Sequence, residues 1–158
     1  MEAPQVSAVP GIARFQGEHA FLSNFFPAPV KYDGVTYATV EHAYQAAKTE
    51  DRVARLRIEA CSTPGRAKRM GKEVKLRANW EDMKLDIMRD LLWQKFTDHP
   101  TLRERLLATG DVMLVEGNDW GDRYWGVCDG VGFNFLGRLL MFTRRVIREG
   151  GSDDALVP

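Results

Sequence analysis

The residues most able to do chemistry are an acid and an amine seven positions apart, Glu41 and Lys48. They lie in the stretch Thr39-Val40-Glu41-His42-Ala43-Tyr44-Gln45-Ala46-Ala47-Lys48, which reads as the opening of a helix. Thr39 can cap it and the alanines favour it. Its polar residues Glu41, Tyr44, Gln45 and Lys48 follow the spacing i, i+3, i+4, i+7 and so share one face. Seven residues rise roughly 10 Å along a helix, the room a small ligand needs between an acid and an amine. A carboxyl there can move a proton. A lysine whose pKa is lowered by burial or by neighbouring cations is a nucleophile. The competing reading is a solvated face, with Glu41 in the first turn favouring the helix dipole.

A second group of reactive types sits in Gly117-Asn118-Asp119-Trp120-Gly121-Asp122-Arg123-Tyr124-Trp125-Gly126. Solvated loops seldom carry two tryptophans, because each exposes a large apolar area. Asp122 offers a second carboxylate and Trp125 a ring for a flat ligand. Pinning of the loop to the core by its tryptophans is the alternative. Phe21-Leu22-Ser23-Asn24-Phe25-Phe26-Pro27 surrounds a polar pair with large apolar residues. It reads equally as a plug of the core and as an aromatic pocket wall with Ser23 or Asn24 turned to a ligand. The glycines of residues 130–137 precede a last helix, whose start could receive a phosphate on backbone N–H groups.

The elements that must position these groups follow from pattern. Residues 12–15 suit a short strand. Val30-Lys31-Tyr32, Asp33-Gly34 and Val35-Thr36-Tyr37 read as a hairpin with a tight turn feeding the Thr39 helix. Residues 51–60 suit a short helix with Arg52, Arg55 and Arg57 outward, and Pro64 suits the first turn of the next. Asn79 is placed to cap the longest helix, residues 80–98, whose stripe Trp80, Met83, Ile87, Met88, Leu91, Leu92, Phe96 fits a 3.6 period. Lys95 falls beside that stripe, where a lysine usually snorkels to water. Further helices are expected over 101–109, closed by Gly110, and after the 130–137 run to about 148, with a short strand over 112–116 between them.

Composition bounds the function. The chain of 158 residues has 22 Lys plus Arg against 22 Asp plus Glu, so it lacks the net basic footprint of a general nucleic-acid coat. The charge is uneven: residues 48–77 hold ten Lys/Arg and four Asp/Glu, whereas residues 97–133 hold three and seven. The two cysteines, Cys61 and Cys128, are too few for a disulfide framework and point to reduced thiols in a cytoplasmic protein. No apolar run approaches the ~18 residues of a membrane span, and no secretory leader is evident. No metal is expected, since no His/Cys pair has zinc spacing, and no P-loop occurs.

Taken together, Leu22-Ser23-Asn24-Phe25, Glu41-His42-x-x-Gln45-Ala46-x-Lys48, Asn79-Trp80-Glu81, Leu114-Val115-Glu116, Asp122-x-Tyr124-Trp125-Gly126 and Asn134-x-x-Gly137 resemble the NADAR (YbiA-like) family, in the family's order. The resemblance implies an α+β fold: a single compact, helix-rich domain with a small antiparallel sheet over residues 11–149, flanked by flexible tails at 1–10 and 150–158. The hairpin and the 112–116 strand would make that sheet. It implies an N-glycosidase for an ADP-ribose-like or phosphoribosyl small molecule. Phosphorylated riboflavin-pathway intermediates and ADP-ribosylated guanine in DNA or RNA are the two substrate classes. The family's catalytic acid and lysine map onto Glu41 and Lys48. Asp122 would add a second carboxylate, and no cofactor is implied. Ser23, Asn24, Phe25, Tyr44, Gln45, Trp80, Trp125, Gly126 and Asn134 would bind substrate. The basic stretch, or the turn before Asn134, would take the phosphates. Trp120-Gly121 lengthens the loop by a residue relative to the YbiA-like branch, which bears on the leaving base. A non-catalytic ADP-ribose-binding module is the alternative, although a binder needs no paired acid and amine.

Overall fold

The computed structural model describes residues 1–7 and 10–151. The chain falls into two compact units, Asn24–His99 and Met1–Ser23 with Pro100–Pro158. The described residues form six α-helices, one 3-10 helix and four short strands, the helix-rich α+β class expected.

In Asn24–His99, strands β2 (Val30–Tyr32) and β3 (Val35–Tyr37) form the expected antiparallel hairpin. Asp33 and Gly34 both take positive φ, 48° and 78°, the turn whose twist matches that of the strands. The chain passes directly into α1 (Val40–Ala47). Extended Thr39 caps it: its Oγ1 accepts from His42 N at 3.1 Å. His42 Nε2 lies 2.9 Å from the Cys61 carbonyl, which can only accept, so Nε2 carries the proton. His42 Nδ1 is then an acceptor, and the Thr39 hydroxyl donates to it at 2.8 Å. This histidine ties the start of α1 to the end of α2 (Arg52–Glu59). Asp51 Oδ1 caps α2 by accepting from Val53 N and Ala54 N. Arg55 is not turned outward as its spacing suggested; its Nε donates to Thr49 O at 2.7 Å.

Helix α3 (Pro64–Gly71) starts with its proline at the first turn and is capped by Thr63. It packs on α1 so closely that a Cβ at Gly71 would overlap the Gln45 side chain. Helix α4 (Trp80–Asp98) buries Trp80, Ile87, Met88, Leu91, Leu92 and Phe96 along the expected stripe, and packs on α1 and β2. Asn79 precedes α4 as expected but does not cap it with its side chain. It is left-handed, φ 66°, so the backbone makes the corner instead. Lys95 does not snorkel. It is 0% exposed, with Nζ 5.8 Å from the Phe26 ring centre and 5.1 Å from that of Phe96.

The other unit contains β1 (Gly11–Ile12), a 3-10 turn (Gly17–Leu22), α5 (Pro100–Ala108), β4 (Met113–Leu114) and α6 (Phe135–Arg148). Its buried residues include Phe15, Phe21, Leu22, Leu102, Leu106, Leu114, Leu136, Leu140 and Ile147. Here the expected sheet is corrected. Strand β4 does not join the hairpin; it pairs in parallel with β1, Gly11 opposite Met113 and Ile12 opposite Leu114. The hairpin is complete through its own turn, whereas Gly11 allows the Met113 backbone an approach that a Cβ would block. Of the segments expected as tails, residues 8, 9 and 152–158 lie outside the described residues. Val6 N donates to Gly130 O at 2.7 Å, and Gly132 N to Pro4 O at 2.9 Å.

Burial pushes the Lys95 ammonium down to about 7. Its unfolded value is the ordinary 10.5, so between about 7 and 10.5 the unfolded chain binds more protons and stability rises with pH. Denaturant unfolding of wild type and Lys95→Met at several pH values tests this. The difference between them should move in favour of wild type across that window, by on the order of a few kcal/mol in all. A difference flat in pH would mean that Lys95 titrates as an ordinary lysine.

Candidate active site

Helix α1 has no solvated face: all eight residues, Val40–Ala47, are buried. Glu41 is 7% exposed, Tyr44 6% and Gln45 3%, so the helix-surface reading of these polar groups fails. Glu41 is held at both ends. Its backbone N donates to Asn24 O at 3.1 Å, and its Oε1 accepts from Gln45 Nε2 at 2.7 Å. Gln45 Nε2 is the donor of this bond, so the Gln45 amide turns its NH2 toward Glu41. Gln45 Oε1, pressed toward Gly71, is left without a hydrogen-bond partner among the described residues. Asn24 Oδ1 is likewise buried and unpartnered there, its Nδ2 resting 3.5 Å from Met88 Sδ.

Lys48 ends α1, and its carbonyl accepts from Arg77 N at 2.8 Å. Its Nζ lies 5.5 Å from the centre of the Tyr44 ring, and that ring lies 5.2 Å from the Trp80 ring, tilted 54°. The half-buried ammonium is held below the usual lysine range, first by desolvation. Glu41 opposes that shift, while Lys68 of α3, Lys72 just past its end and Lys84 of α4 add to it. Burial and like charge both favour the neutral amine that a nucleophile needs. Lys68 Nζ also lies 5.9 Å from the ring centre of Phe25, which is 40% exposed. Seven of the expected site residues thus belong to Asn24–His99: Asn24, Phe25, Glu41, Tyr44, Gln45, Lys48 and Trp80.

Ser23, Asp122, Trp125, Gly126 and Asn134 belong to the other unit. Ser23 follows the 3-10 turn and donates its N–H to Ala20 O. The other four sit in one hydrogen-bonded loop. Asp122 Oδ1 accepts from Tyr124 N at 3.1 Å and Trp125 N at 2.9 Å. Buried Asn118 holds Asp122 from the other side, donating to its carbonyl and accepting from its N–H. Asn118 Nδ2 is also 3.1 Å from Glu116 Oε2. A Cβ on Gly126 would overlap Glu116, which accounts for that glycine by close backbone approach. Asn134 is left-handed, φ 53°, and spends both ends of its amide on the β4 segment, donating to Leu114 O and accepting from Glu116 N.

One expectation for this loop fails on hydrogen-bond accounting. The first N–H groups of α6 do not await a phosphate: those of Asn134, Phe135 and Leu136 already donate to Gly126, Tyr124 and Trp125 carbonyls. The two tryptophans also separate. Trp120 is 59% exposed, contrary to the packing cost argued from its size, while Trp125 is half-buried and edge-on to Tyr124 at 4.8 Å. The sequence reading passed over Asn118 and His42, which organise the loop and the start of α1. An isolated Asn or His carries no periodic signal. The individual roles of Lys68 and Lys72 were visible only as a basic stretch, and Lys84 lies beyond it.

The wiring of Asp122 predicts a contrast between two substitutions. Asp122→Ala removes the acceptor for two N–H groups and should cost about 1–3 kcal/mol. Asp122→Asn keeps an acceptor oxygen and should cost less. Denaturant unfolding of both checks this, and equal stability would show that the Asp122 bonds do not hold the loop.

Residues 13–148 match the family model described as the NADAR domain. The N-glycosidase YbiA of Escherichia coli (strain K12) is 44% identical over 130 residues, covering 80% of this chain and 81% of the relative. A riboflavin biosynthesis protein of Vibrio vulnificus is 35% identical over 134 residues, covering 83% of this chain and 36% of that longer protein. The NMR structure of E. coli YbiA is similar with a TM-score of 0.79 at 39% identity, over 92% of this chain and 90% of that one. With Glu41 and Lys48 in place on α1, these matches show that the chain belongs to the NADAR family and is, like YbiA, an N-glycosidase.

Proposed function

We propose that the enzyme hydrolyses the N-glycosidic bond of a phosphoribosyl or ADP-ribosyl compound, with Lys48 as nucleophile and Glu41 as acid–base. The observation that carries this reading is the lowered pKa of Lys48, produced by desolvation and three lysines on packed helices, on a helix that also buries Glu41. The departing nitrogen of an N-glycoside is a poor leaving group, and the sugar C1 becomes cationic as it leaves. Glu41, having taken up the proton that Lys48 gives up, passes it to the leaving base as the C1–N bond breaks, and the electron pair of that bond goes to the base. The neutral Lys48 amine supplies the pair that forms the new bond to C1. A proton then passes from the Lys48 nitrogen to the ring oxygen as the C1–O bond breaks and the sugar opens to a protonated Schiff base. Water adds to the imine carbon with Glu41 as base, and release of Lys48 leaves the free sugar. Tyr44 and Trp80 make an aromatic wall beside the amine, and Asn24 Oδ1 is an acceptor suited to a ribose hydroxyl. Lys68, Lys72 and Lys84 supply positive charge for a phosphate. Asp122, Trp125, Gly126 and Asn134 are proposed to act through the loop they order, and Ser23 beside Asn24.

Among substrates, phosphorylated intermediates of riboflavin synthesis come first, because the Vibrio vulnificus relative is named for that pathway. ADP-ribosylated guanine in DNA or RNA is the second class to screen. Release of free base and ribose phosphate from each class should identify the substrate. With the substrate in hand, borohydride added during turnover should leave a sugar adduct on Lys48. Lys48→Arg should fail, because a guanidinium keeps its proton. Glu41→Gln should slow turnover by ~10²–10⁴ while the protein stays folded. Normal turnover in Lys48→Ala, with no adduct in the wild type, would overturn the Schiff-base route.

A further inference from the structure

Helix α3 divides its side chains among three directions. Ala67 and Gly71, four apart, are buried, with Gly71 against Gln45 of α1. Lys68, and Lys72 just past the helix end, are among the residues that bear on Lys48. Arg66 and Arg69, at i and i+3, lie on another face, and Glu73 follows in the turn after the helix. There they line a groove of about 530 Å³ together with Arg57 from α2, with Ser62 and Met70 in its wall. That volume lies within the range of small-ligand sites. Arg66 Nη1 donates to Ser62 Oγ at 3.1 Å, which orients its guanidinium. Among the described residues, none of Arg57, Arg66 and Arg69 forms a salt bridge, although Glu73 shares their groove. Three guanidiniums against one carboxylate leave the groove electropositive.

We infer that the α2–α3 groove is a second anion site, separate from the Lys48 site, and that it binds phosphate groups. Arginine is the residue suited to this chemistry. Its planar fork donates two parallel hydrogen bonds to a phosphate and stays charged at any working pH. Helix α3 and the turn after it thus present lysines on one side and arginines on another. The lysines tune a nucleophile, which needs compact charge near an amine. The arginines do not figure among the groups that shift Lys48. The phosphate has two possible sources, a free phosphate compound and a nucleic-acid backbone, and the experiment separates them.

Binding of a fluorescein-labelled single-stranded DNA oligonucleotide is followed by anisotropy at low salt, with inorganic pyrophosphate as competitor and as a calorimetric ligand. Three proteins are compared: wild type, Arg57→Gln/Arg66→Gln/Arg69→Gln, and Lys68→Gln/Lys72→Gln. Thermal unfolding checks that each is folded. Single-residue Arg66→Gln and Arg69→Gln serve if the triple variant is not. Wild type should bind at least one probe. The arginine variant should weaken that binding tenfold or more and lower the salt slope by about 2, the number expected for three phosphate contacts on a single strand. The lysine variant should retain binding. Pyrophosphate binding that displaces the oligonucleotide assigns the site to small phosphates. Oligonucleotide binding that pyrophosphate does not displace assigns it to a backbone. No binding of either probe, unchanged binding in the arginine variants, or loss only in the lysine variant would each overturn the inference. Binding is read without turnover, so this outcome is independent of the reaction proposed for Lys48.

Discussion

Complete burial of α1 is the constraint on which the candidate site depends. An eight-residue helix that carries Glu41, His42, Tyr44 and Gln45 and exposes none of them must find partners for its polar groups inside the protein, and among the described residues it does so for all that follow but not for Gln45 Oε1. Thr39 and Cys61 O satisfy His42, and Gln45 and Asn24 O hold Glu41. The same burial reaches Lys48 at the helix end, where removal of water is the first cause of its lowered pKa. A lysine on a solvated helix would keep its proton and be inert as a nucleophile. Desolvation thus connects the way α1 packs to the chemistry it offers. The small residues that permit the packing, Ala43, Ala46 and Ala47 on α1 and Gly71 on α3, contribute to function by letting helices come close.

The loop of residues 116–126 answers a different problem, that of holding irregular backbone without a ladder. It does so with side chains that imitate backbone partners. Asn134 takes the place of a strand residue beside β4, Asn118 closes the loop onto Asp122, and Asp122 receives the next two N–H groups. The carbonyls of Tyr124, Trp125 and Gly126 then cap the start of α6. The side chains that do this, those of Asn118, Asp122 and Asn134, are all short and polar, suited to targets so near. This explains why a segment rich in reactive residue types is, at Asp122 and Asn134, also rich in residues with structural duties.

Much of this was legible in the sequence, and what was not has physical reasons. The Asp33-Gly34 turn, the Thr39 cap and the stripe on α4 are local, and their signals lie within a few residues. The shared face of Glu41, Tyr44, Gln45 and Lys48 was equally readable from spacing. Its burial was not, because polar residues at helical spacing describe a solvated face equally well. The parallel pairing of β1 with β4 joins segments about a hundred residues apart and has no local signature. Lys95 was misread because snorkelling is the usual habit of lysine and only the packed rings of Phe26 and Phe96 prevent it. The phosphate expectation at α6 failed because glycines before a helix do not reveal whether its N–H groups are already bonded.

Packing of α1, α3 and α4 makes the Lys48 amine give up its proton more readily than an ordinary lysine. The most direct measurement is the NMR titration of lysine side chains labelled with ¹³C at Cε, with the Lys48 signal assigned by Lys48→Arg. The account predicts that Lys48 titrates below the main group of lysines. It also predicts that Lys48 moves lower still in Glu41→Gln, which removes an opposing charge, and higher in Lys72→Gln. A Lys48 signal that titrates with the other surface lysines and responds to neither substitution would contradict it.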